Sequence, residues 1–181
     1  MPAKKPLISK KNQKARHGFA NEHVVWTGDK WSRVHFSDES KYNVFGSDGQ
    51  RYVRRRTGER LPVRCVQKTV KFGGGSVMVW GIMSASGCGP LVRLQGTVNA
   101  EVYKQLLRQY AIPHFQSASL KPSIAMHDNA PCHTAKKVKS FLLEIRLQVM
   151  GWPAQSNTLP IEYIWKVVGD RARTHDPKNQ E

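Results

Sequence analysis

The sequence predicts an α/β domain in which helices flank a mixed β-sheet. Residues 76–83 form an uninterrupted β-prone run after three glycines, which is typical of a central strand buried on both faces. In the second half of the chain, apolar stripes at helical spacing alternate with short apolar runs, as in layered α/β folds. The length of 181 residues suits one domain with a sizeable core.

Three further strands are predicted in the first half of the chain. Residues 31–36 are rich in apolar side chains and end at the polar run 37–40, which predicts a first short strand. A second is predicted at 42–45, before a turn rich in glycine and aspartate. Residues 90–94 follow the central strand and predict another.

The second half predicts three helices separated by two strands. Asn99 is the predicted N-cap of a helix that ends near Pro113, because proline disfavours helical backbone before it. Residues 133–145 predict a second helix with an outer face of lysines. Pro160 is predicted to open the last helix, since proline suits a first turn. The two strands are expected at 123–126 and 147–150, and residues 174–181 as a disordered tail.

Positive charge is concentrated in two stretches. The chain has 29 Lys and Arg residues against 13 Asp and Glu residues, for a net charge of +16. Residues 1–20 contain no acid, and residues 51–71 contain only Glu59. Arginine dominates the second stretch, and its planar guanidinium suits phosphate groups. Such clustering favours a polyanion, most simply nucleic acid. The predicted DNA contacts are Lys10, Lys11, Lys14, Arg16, Arg51, Arg54, Arg55, Arg56, Arg60, Arg64, Lys68 and Lys71.

Several protein classes are excluded by composition. No apolar run approaches the roughly 18 residues of a transmembrane helix, and no signal peptide is recognisable. We therefore expect no membrane partner. The three cysteines lie far apart without a C-x-x-C pair, which excludes a disulfide framework and a zinc ribbon.

Three acidic residues stand at positions where α/β folds gather functional groups. Asp38 and Asp128 follow predicted strands, and Glu162 lies in the first turn of the last helix. Carboxylates without His or Cys partners are hard oxygen ligands suited to Mg²⁺ or Mn²⁺, which predicts phosphodiester chemistry beside a basic surface. The alternatives are a strand-end cap for Asp38 and a helix-dipole partner for Glu162.

Five ordered motifs carry a family resemblance. The chain resembles the catalytic domain of the Tc-one branch of mariner-superfamily DDE transposases over about residues 20–173. The motifs are FSDESK at 36–41, the run 45–55, GGGSVMVWG at 73–81, DNAPCHTA at 128–135 and WPAQS at 152–156 with PIE at 160–162 and Trp165. The resemblance implies a ribonuclease-H-like mixed sheet flanked by helices, with an inserted basic clamp loop at 46–75.

The resemblance also implies a reaction and its partners. Asp38, Asp128 and Glu162 would be the catalytic carboxylates and would hold two Mg²⁺ or Mn²⁺ ions. The implied activity is metal-dependent DNA strand cleavage and strand transfer, which is DNA transposition and integration. The implied partners are double-stranded DNA, as transposon ends and a TA target, and a homodimer or higher synaptic assembly. The implied location is the nucleus.

Departures from the family pattern leave alternatives open. Residues 1–20 resemble a basic linker, the remnant of the end of an N-terminal DNA-binding region, and residues 21–173 the catalytic domain. Thirty-three residues separate Asp128 from Glu162, one fewer than this branch usually has. The missing residue falls in the loop before the last helix, so the helix keeps its register. The alternatives are a truncated, catalytically inactive DNA-binding remnant and an oligomerisation module that interferes with a full-length transposase.

Overall fold

The fold is a five-stranded mixed sheet with helices on both faces. The computed structural model describes residues 7–44, 58, 75–118, 122–154 and 159–174. The elements in chain order are α1 (Lys10–His23), α2 (Gly28–Ser32), β1 (Val34–Asn43), β2 (Ser76–Ser84), β3 (Gly87–Leu94), α3 (Ala100–Leu106), a π-helical segment (Leu107–Ala111), α4 (Ile112–Ala118), β4 (Ile124–Met126), α5 (Pro131–Thr134), α6 (Lys136–Glu144), β5 (Gln148–Met150) and α7 (Pro160–Thr174).

The strand order is β3-β2-β1-β4-β5. The first three strands of this order pair antiparallel, whereas β4 pairs parallel with both β1 and β5. Strand β2 has a partner on each side and buries Trp80 and Ile82, so the predicted central strand is confirmed. The predicted mixed sheet with flanking helices is confirmed as well.

The two strands predicted before the central strand are wrong, because residues 34–43 form one continuous strand. Trp31 belongs instead to α2. The polar run 37–40 has the composition of a loop, but its backbone pairs with β2 along the whole stretch from Phe36 to Asn43. Ser37 is buried and donates a 3.1 Å hydrogen bond to the carbonyl of Met126. The ladder and such contacts satisfy polar groups that composition alone assigns to solvent.

Each face of the sheet has its own core. On one face, Trp80 and Ile82 pack against α3, α4 and α6. On the other, Val34 and Val79 pack in one cluster with Ile161 and Trp165 from the N-terminal half of α7. Successive residues of a strand point to opposite faces, so neighbours along β1 contribute to different cores.

Two predicted helices differ in detail from the structure. Asn99 does cap α3, its side chain accepting hydrogen bonds from the backbone N–H of Glu101 and Val102. The helix does not end near Pro113, because the π-helical segment precedes the proline and helical backbone continues into α4. A π-helical segment is a usual way to accommodate a break in the α-helical hydrogen-bond pattern. The helix predicted at 133–145 is divided into α5 and α6 by extended backbone at Ala135.

Several predictions fall outside the described residues. These are most of the clamp loop at 46–75, with its eight basic residues, and the tail after residue 174. The predicted domain boundary at residue 20 falls inside α1, whose Phe19 packs edge-on against Trp152 at 5.0 Å. Among the described residues, no helix has the length and apolar character needed to span a bilayer.

Candidate active site

The parallel pairing of β1 with β4 brings two of the predicted carboxylates to one edge of the sheet. Phe36 lies opposite Met126, and the two segments continue in the same direction because the strands are parallel. Asp38 and Asp128 each follow two residues later, so both lie beyond the carboxyl end of β4. Asp38 therefore lies inside a strand, whereas the sequence predicted that it follows one. Strand β4 ends at Met126, before the level of Asp38, so that Asp38 and Asp128 lie at the same edge of the sheet.

Helix α7 covers Asp38 through a tryptophan. The indole Nε1 of Trp165 donates a 3.0 Å hydrogen bond to Oδ2 of Asp38. Gly81 lies opposite Asp38 in β2, and a Cβ built there would lie 2.5 Å from the Trp165 ring. The absence of a side chain at Gly81 is what allows the ring to lie against the sheet. Tyr42, also on β1, donates its hydroxyl to the backbone carbonyl of Trp165 at 2.9 Å.

Asp38 is shielded from solvent beside other negative charges. Burial raises the pKa of Asp38 to about 6, and the charges of Glu39 and Asp128 act in the same direction. The hydrogen bond from Trp165 opposes the rise, because it stabilises the ionised carboxylate.

Asp128 is held by two donors at the start of the loop after β4. Its Oδ1 accepts hydrogen bonds from the backbone N–H of Ala130 at 2.9 Å and from Nδ1 of His133 at 2.7 Å. The hydrogen bond from His133 is the main reason that the pKa of Asp128 lies below its usual value. Asp128 therefore stays ionised at neutral pH.

His133 links the carboxylates of two elements. Its Nε2 lies 3.2 Å from Oε1 of Glu39, while its Nδ1 contacts Asp128. Burial alone would lower the pKa of His133, but the hydrogen bonds to Asp128 and Glu39 outweigh it and raise the pKa to about 10. The imidazole is thus a cation that donates from both nitrogens.

Glu162 lies in the first turn of α7 and is exposed. Partial burial raises its pKa above the usual value. Pro160 opens the helix as predicted, and Leu159 and Ile161 on either side are buried in the core. Glu162 precedes Trp165 by three residues, so the two side chains lie on neighbouring parts of one helix face.

The carboxylates fit a divalent cation in part. Among the described residues, no three His, Cys, Asp or Glu side chains lie close enough together to hold a metal ion. Asp38 and Asp128 are brought together, and Glu162 is not gathered with them. The pair supplies hard oxygen donors, and a cation between them would stabilise the ionised form of Asp38, whose pKa is raised mainly by burial. We take this donor set as compatible with Mg²⁺ or Mn²⁺.

The basic residues predicted to contact DNA are only partly described. Lys10, Lys11, Lys14 and Arg16 lie on α1, which begins at the N-cap Ser9, and the three lysines are exposed. The other eight lie outside the described residues.

Two residues of this site, Glu39 and His133, were not predicted from the sequence. Glu39 lies in the polar run 37–40 that follows the first predicted strand, and His133 is the first residue of the helix predicted at 133–145. The alternation of a strand would have placed Glu39 on the face opposite Asp38, but only if 37–40 had been recognised as strand.

Comparison with known proteins places the chain in a family. The family model described as "DDE superfamily endonuclease" matches residues 33–181. The chain is 40% identical over 173 residues to the transposable element Tcb1 transposase of Caenorhabditis briggsae, covering 95% of this chain and 63% of that protein. The chain therefore spans less than two thirds of the length of this relative.

Solved structures show the same fold. The Mos1 transposase paired-end complex with left transposon end superimposes with a TM-score of 0.74 at 21% identity, over 94% of this chain and 52% of that one. The Mos1 transposase catalytic domain with raltegravir and Mg gives 0.60 at 19% identity, over 92% of this chain and 75% of that one. At these identities the likeness concerns the fold, and the ribonuclease-H-like prediction is confirmed. The chain belongs to the DDE superfamily endonucleases and corresponds to part of the related transposases.

Proposed function

We propose that this domain cleaves DNA strands and transfers them in a reaction that depends on Mg²⁺ or Mn²⁺. The observation that carries the proposal is the meeting of Asp38 and Asp128 at the carboxyl end of β4, with α7 docked on Asp38 through Trp165. Both aspartates would hold the cation, and Glu162 would complete the set. When bound, a divalent ion supplies charge stabilisation for the attacking and leaving oxygens at a phosphorus centre.

The chain's own residues would prepare the carboxylates for this task. Trp165 orients Asp38 by a hydrogen bond to one oxygen, and Asp128 is kept ionised by the donors on its Oδ1. Burial between the sheet and α7 excludes water from one side of Asp38. Electrostatic interactions are stronger in such a partly dry site than in bulk solvent.

The partners follow from charge and from the relatives. The net charge of +16 and the lysines of α1 favour a phosphate backbone. The Mos1 structures contain a transposon end in one case and Mg in the other. We extend both to this chain, and propose double-stranded DNA as substrate, in a dimeric or higher synaptic assembly. Two ions, a TA target and a nuclear location remain predictions.

Strand nicking tests the proposal. The purified chain is incubated with a labelled duplex that carries a transposon end of the Tc-one type, with Mg²⁺, with Mn²⁺ or with EDTA. We expect cation-dependent nicks that are lost in Asp38→Asn and in Glu162→Gln. Both variants remove a charge while retaining shape, so an unchanged unfolding midpoint separates lost chemistry from lost folding. Nicking that persists in both variants would contradict the proposal.

A DNA-binding domain without catalysis is the second candidate. It is favoured by one observation, namely that Glu162 does not gather with Asp38 and Asp128 among the described residues. A structure of the chain soaked in Mn²⁺ separates the two candidates. Convergence of all three carboxylates on the cation supports the nuclease, and a cation held without Glu162 supports the non-catalytic domain.

A further inference from the structure

His133 joins the two strands that carry the site, but it belongs to neither. It lies in α5, a four-residue helix, and its side chain is almost fully buried. One ring nitrogen contacts Asp128, which follows β4, and the other contacts Glu39 on β1. Glu39 is the chain neighbour of Asp38 but points to the opposite face of the sheet. Glu39, on the α3 side of the sheet, is therefore connected through His133 to Asp128 in the site.

The position of the ring is set by packing. The Tyr103 ring lies 4.0 Å from it between centroids, and the His127 ring 5.2 Å away. Tyr103 is itself fully buried, and its hydroxyl contacts Nδ1 of His127 at 2.8 Å. An imidazole ring is rigid, so once it is confined here its two nitrogens have fixed directions.

Asp128 needs such an anchor more than Asp38 does. Its side chain is 45% exposed, whereas Asp38 lies inside a paired strand beneath Trp165. The described residues give Asp128 one other hydrogen-bond donor, the backbone N–H of Ala130, which belongs to the same loop. A carboxylate at the start of a loop would otherwise exchange between orientations, and a metal ligand must be held in one.

We propose that His133 is a positioning residue that fixes the orientation of the Asp128 carboxylate for divalent-cation binding, braced from the opposite face of β1 by Glu39. This inference rests on the proposed function, because it assigns Asp128 to the cation. His133 does not itself touch the cation or the DNA. Its Nδ1 orients Asp128, and its Nε2 contact with Glu39 holds the ring in place.

Two substitutions separate the nitrogens of His133. The amide nitrogen of Asn occupies roughly the place of Nδ1, and that of Gln reaches roughly the place of Nε2. His133→Asn therefore retains a donor to Asp128, while His133→Gln retains a donor to Glu39 only. A purely structural role would make the two variants equally harmful, and His133→Ala removes both contacts. Tyr103→Phe removes the hydroxyl contact to His127 but keeps the ring, and serves as a control for disturbance of the cluster.

The first measurement is made without metal. Crystal structures of the wild type and the variants give the side-chain torsion angles of Asp128. We expect the wild-type orientation in His133→Asn and Tyr103→Phe, and a rotated carboxylate in His133→Ala and His133→Gln. An unrotated carboxylate in the last two variants overturns the inference, whatever the cation does. If a variant fails to crystallise, solution NMR couplings of Asp128 give the same torsion angle.

The second measurement is Mn²⁺ affinity by calorimetric titration. We expect a loss of about 10- to 100-fold in His133→Ala and His133→Gln, the usual effect of removing a hydrogen-bond partner of a metal ligand. His133→Asn should retain most of the wild-type affinity. Equal affinities in the Asn and Gln variants overturn the inference. If wild-type protein shows no Mn²⁺ binding that depends on Asp38 and Asp128, the proposed function fails, and the torsion angles decide the positioning of Asp128 by themselves.

Discussion

Trp165 and Asp38 are joined by a 3.0 Å hydrogen bond from the indole nitrogen to a carboxylate oxygen, across 127 residues of sequence. This contact ties α7 to the middle of β1, and Gly81 makes room for it. Glu162 lies about one turn before Trp165 on the same helix. The contact between Trp165 and Asp38 therefore also fixes the position of the backbone that carries Glu162.

Replacing Trp165 by Phe should weaken the docking of α7. The aromatic packing is mostly kept, but the donor to an ionised group is lost, which typically costs about 1.5–3 kcal/mol. Urea unfolding at pH 8, where Asp38 is ionised, measures the loss. Trp152→Phe is the matched control, since the indole nitrogen of Trp152 is buried without a partner among the described residues. An equal loss of unfolding free energy in the two variants would mean that the hydrogen bond contributes nothing.

A methyl group at Gly81 should displace Trp165. We expect Gly81→Ala to destabilise the domain by about 1–3 kcal/mol, the usual range for overpacking a core. Gly18→Ala provides the contrast, because Gly18 lies in α1 with nothing within 4 Å of the added carbon. That change should stabilise α1 by about 0.5–1 kcal/mol. Thermal unfolding of both variants measures the effects, and a neutral Gly81→Ala would show that α7 is not packed as described.

Acid should destabilise the domain through His35. Burial, followed by the charge of His114, lowers the pKa of His35 from 6.5 to about 4. Between pH 6.5 and pH 4, His35 is protonated in the unfolded chain and neutral in the folded chain. The free energy of unfolding therefore falls as the pH drops from about 6.5 to 4. The full effect is at most about 3 kcal/mol.

His35→Phe tests this pH dependence. Phe keeps an aromatic ring against Phe115, which the His35 ring contacts edge-on at 5.0 Å. Unfolding free energies at pH 4.5 and 7.5 should differ less in His35→Phe than in wild type, while His127 and His114, whose pKa values burial also lowers, retain a dependence of the same sign. Gln13→Ala, on the exposed side of α1, removes no titratable group and should leave the difference unchanged. A wild-type difference in both variants would refute the assignment to His35.

The lysines of α1 should contribute to DNA affinity through phosphate contacts. Each contact contributes about 0.9 to the slope of log affinity against log salt concentration. The triple variant with Lys10, Lys11 and Lys14 changed to Ala should reduce that slope by up to about 3. Filter binding at several salt concentrations measures it. The same change at Lys136, Lys137 and Lys139 of α6 is the control, and an equal reduction there would show that only net charge matters.

Local sequence signals predicted much of the secondary structure. Asn99 caps α3 and Pro160 opens α7 because capping and proline chemistry act within one turn. The run 76–83 identified β2, since its β-branched and apolar residues suit burial on both sides. The failure at 37–40 has the opposite cause. These polar residues form a strand because their backbone pairs with β2 and their side chains find partners on each face of the sheet. No local sequence pattern reveals these partners.

The amino-acid sequence by itself determined the α/β class, the ordered motifs and the candidate acids Asp38, Asp128 and Glu162. The tertiary structure was needed to show that Asp38 and Asp128 meet at the end of β4, that Trp165 covers Asp38, and that His133 contacts both Asp128 and Glu39. The reason is the separation along the sequence over which each kind of interaction acts. Capping and periodicity depend on neighbours in the chain, whereas strand register and close packing join residues 89 to 127 positions apart.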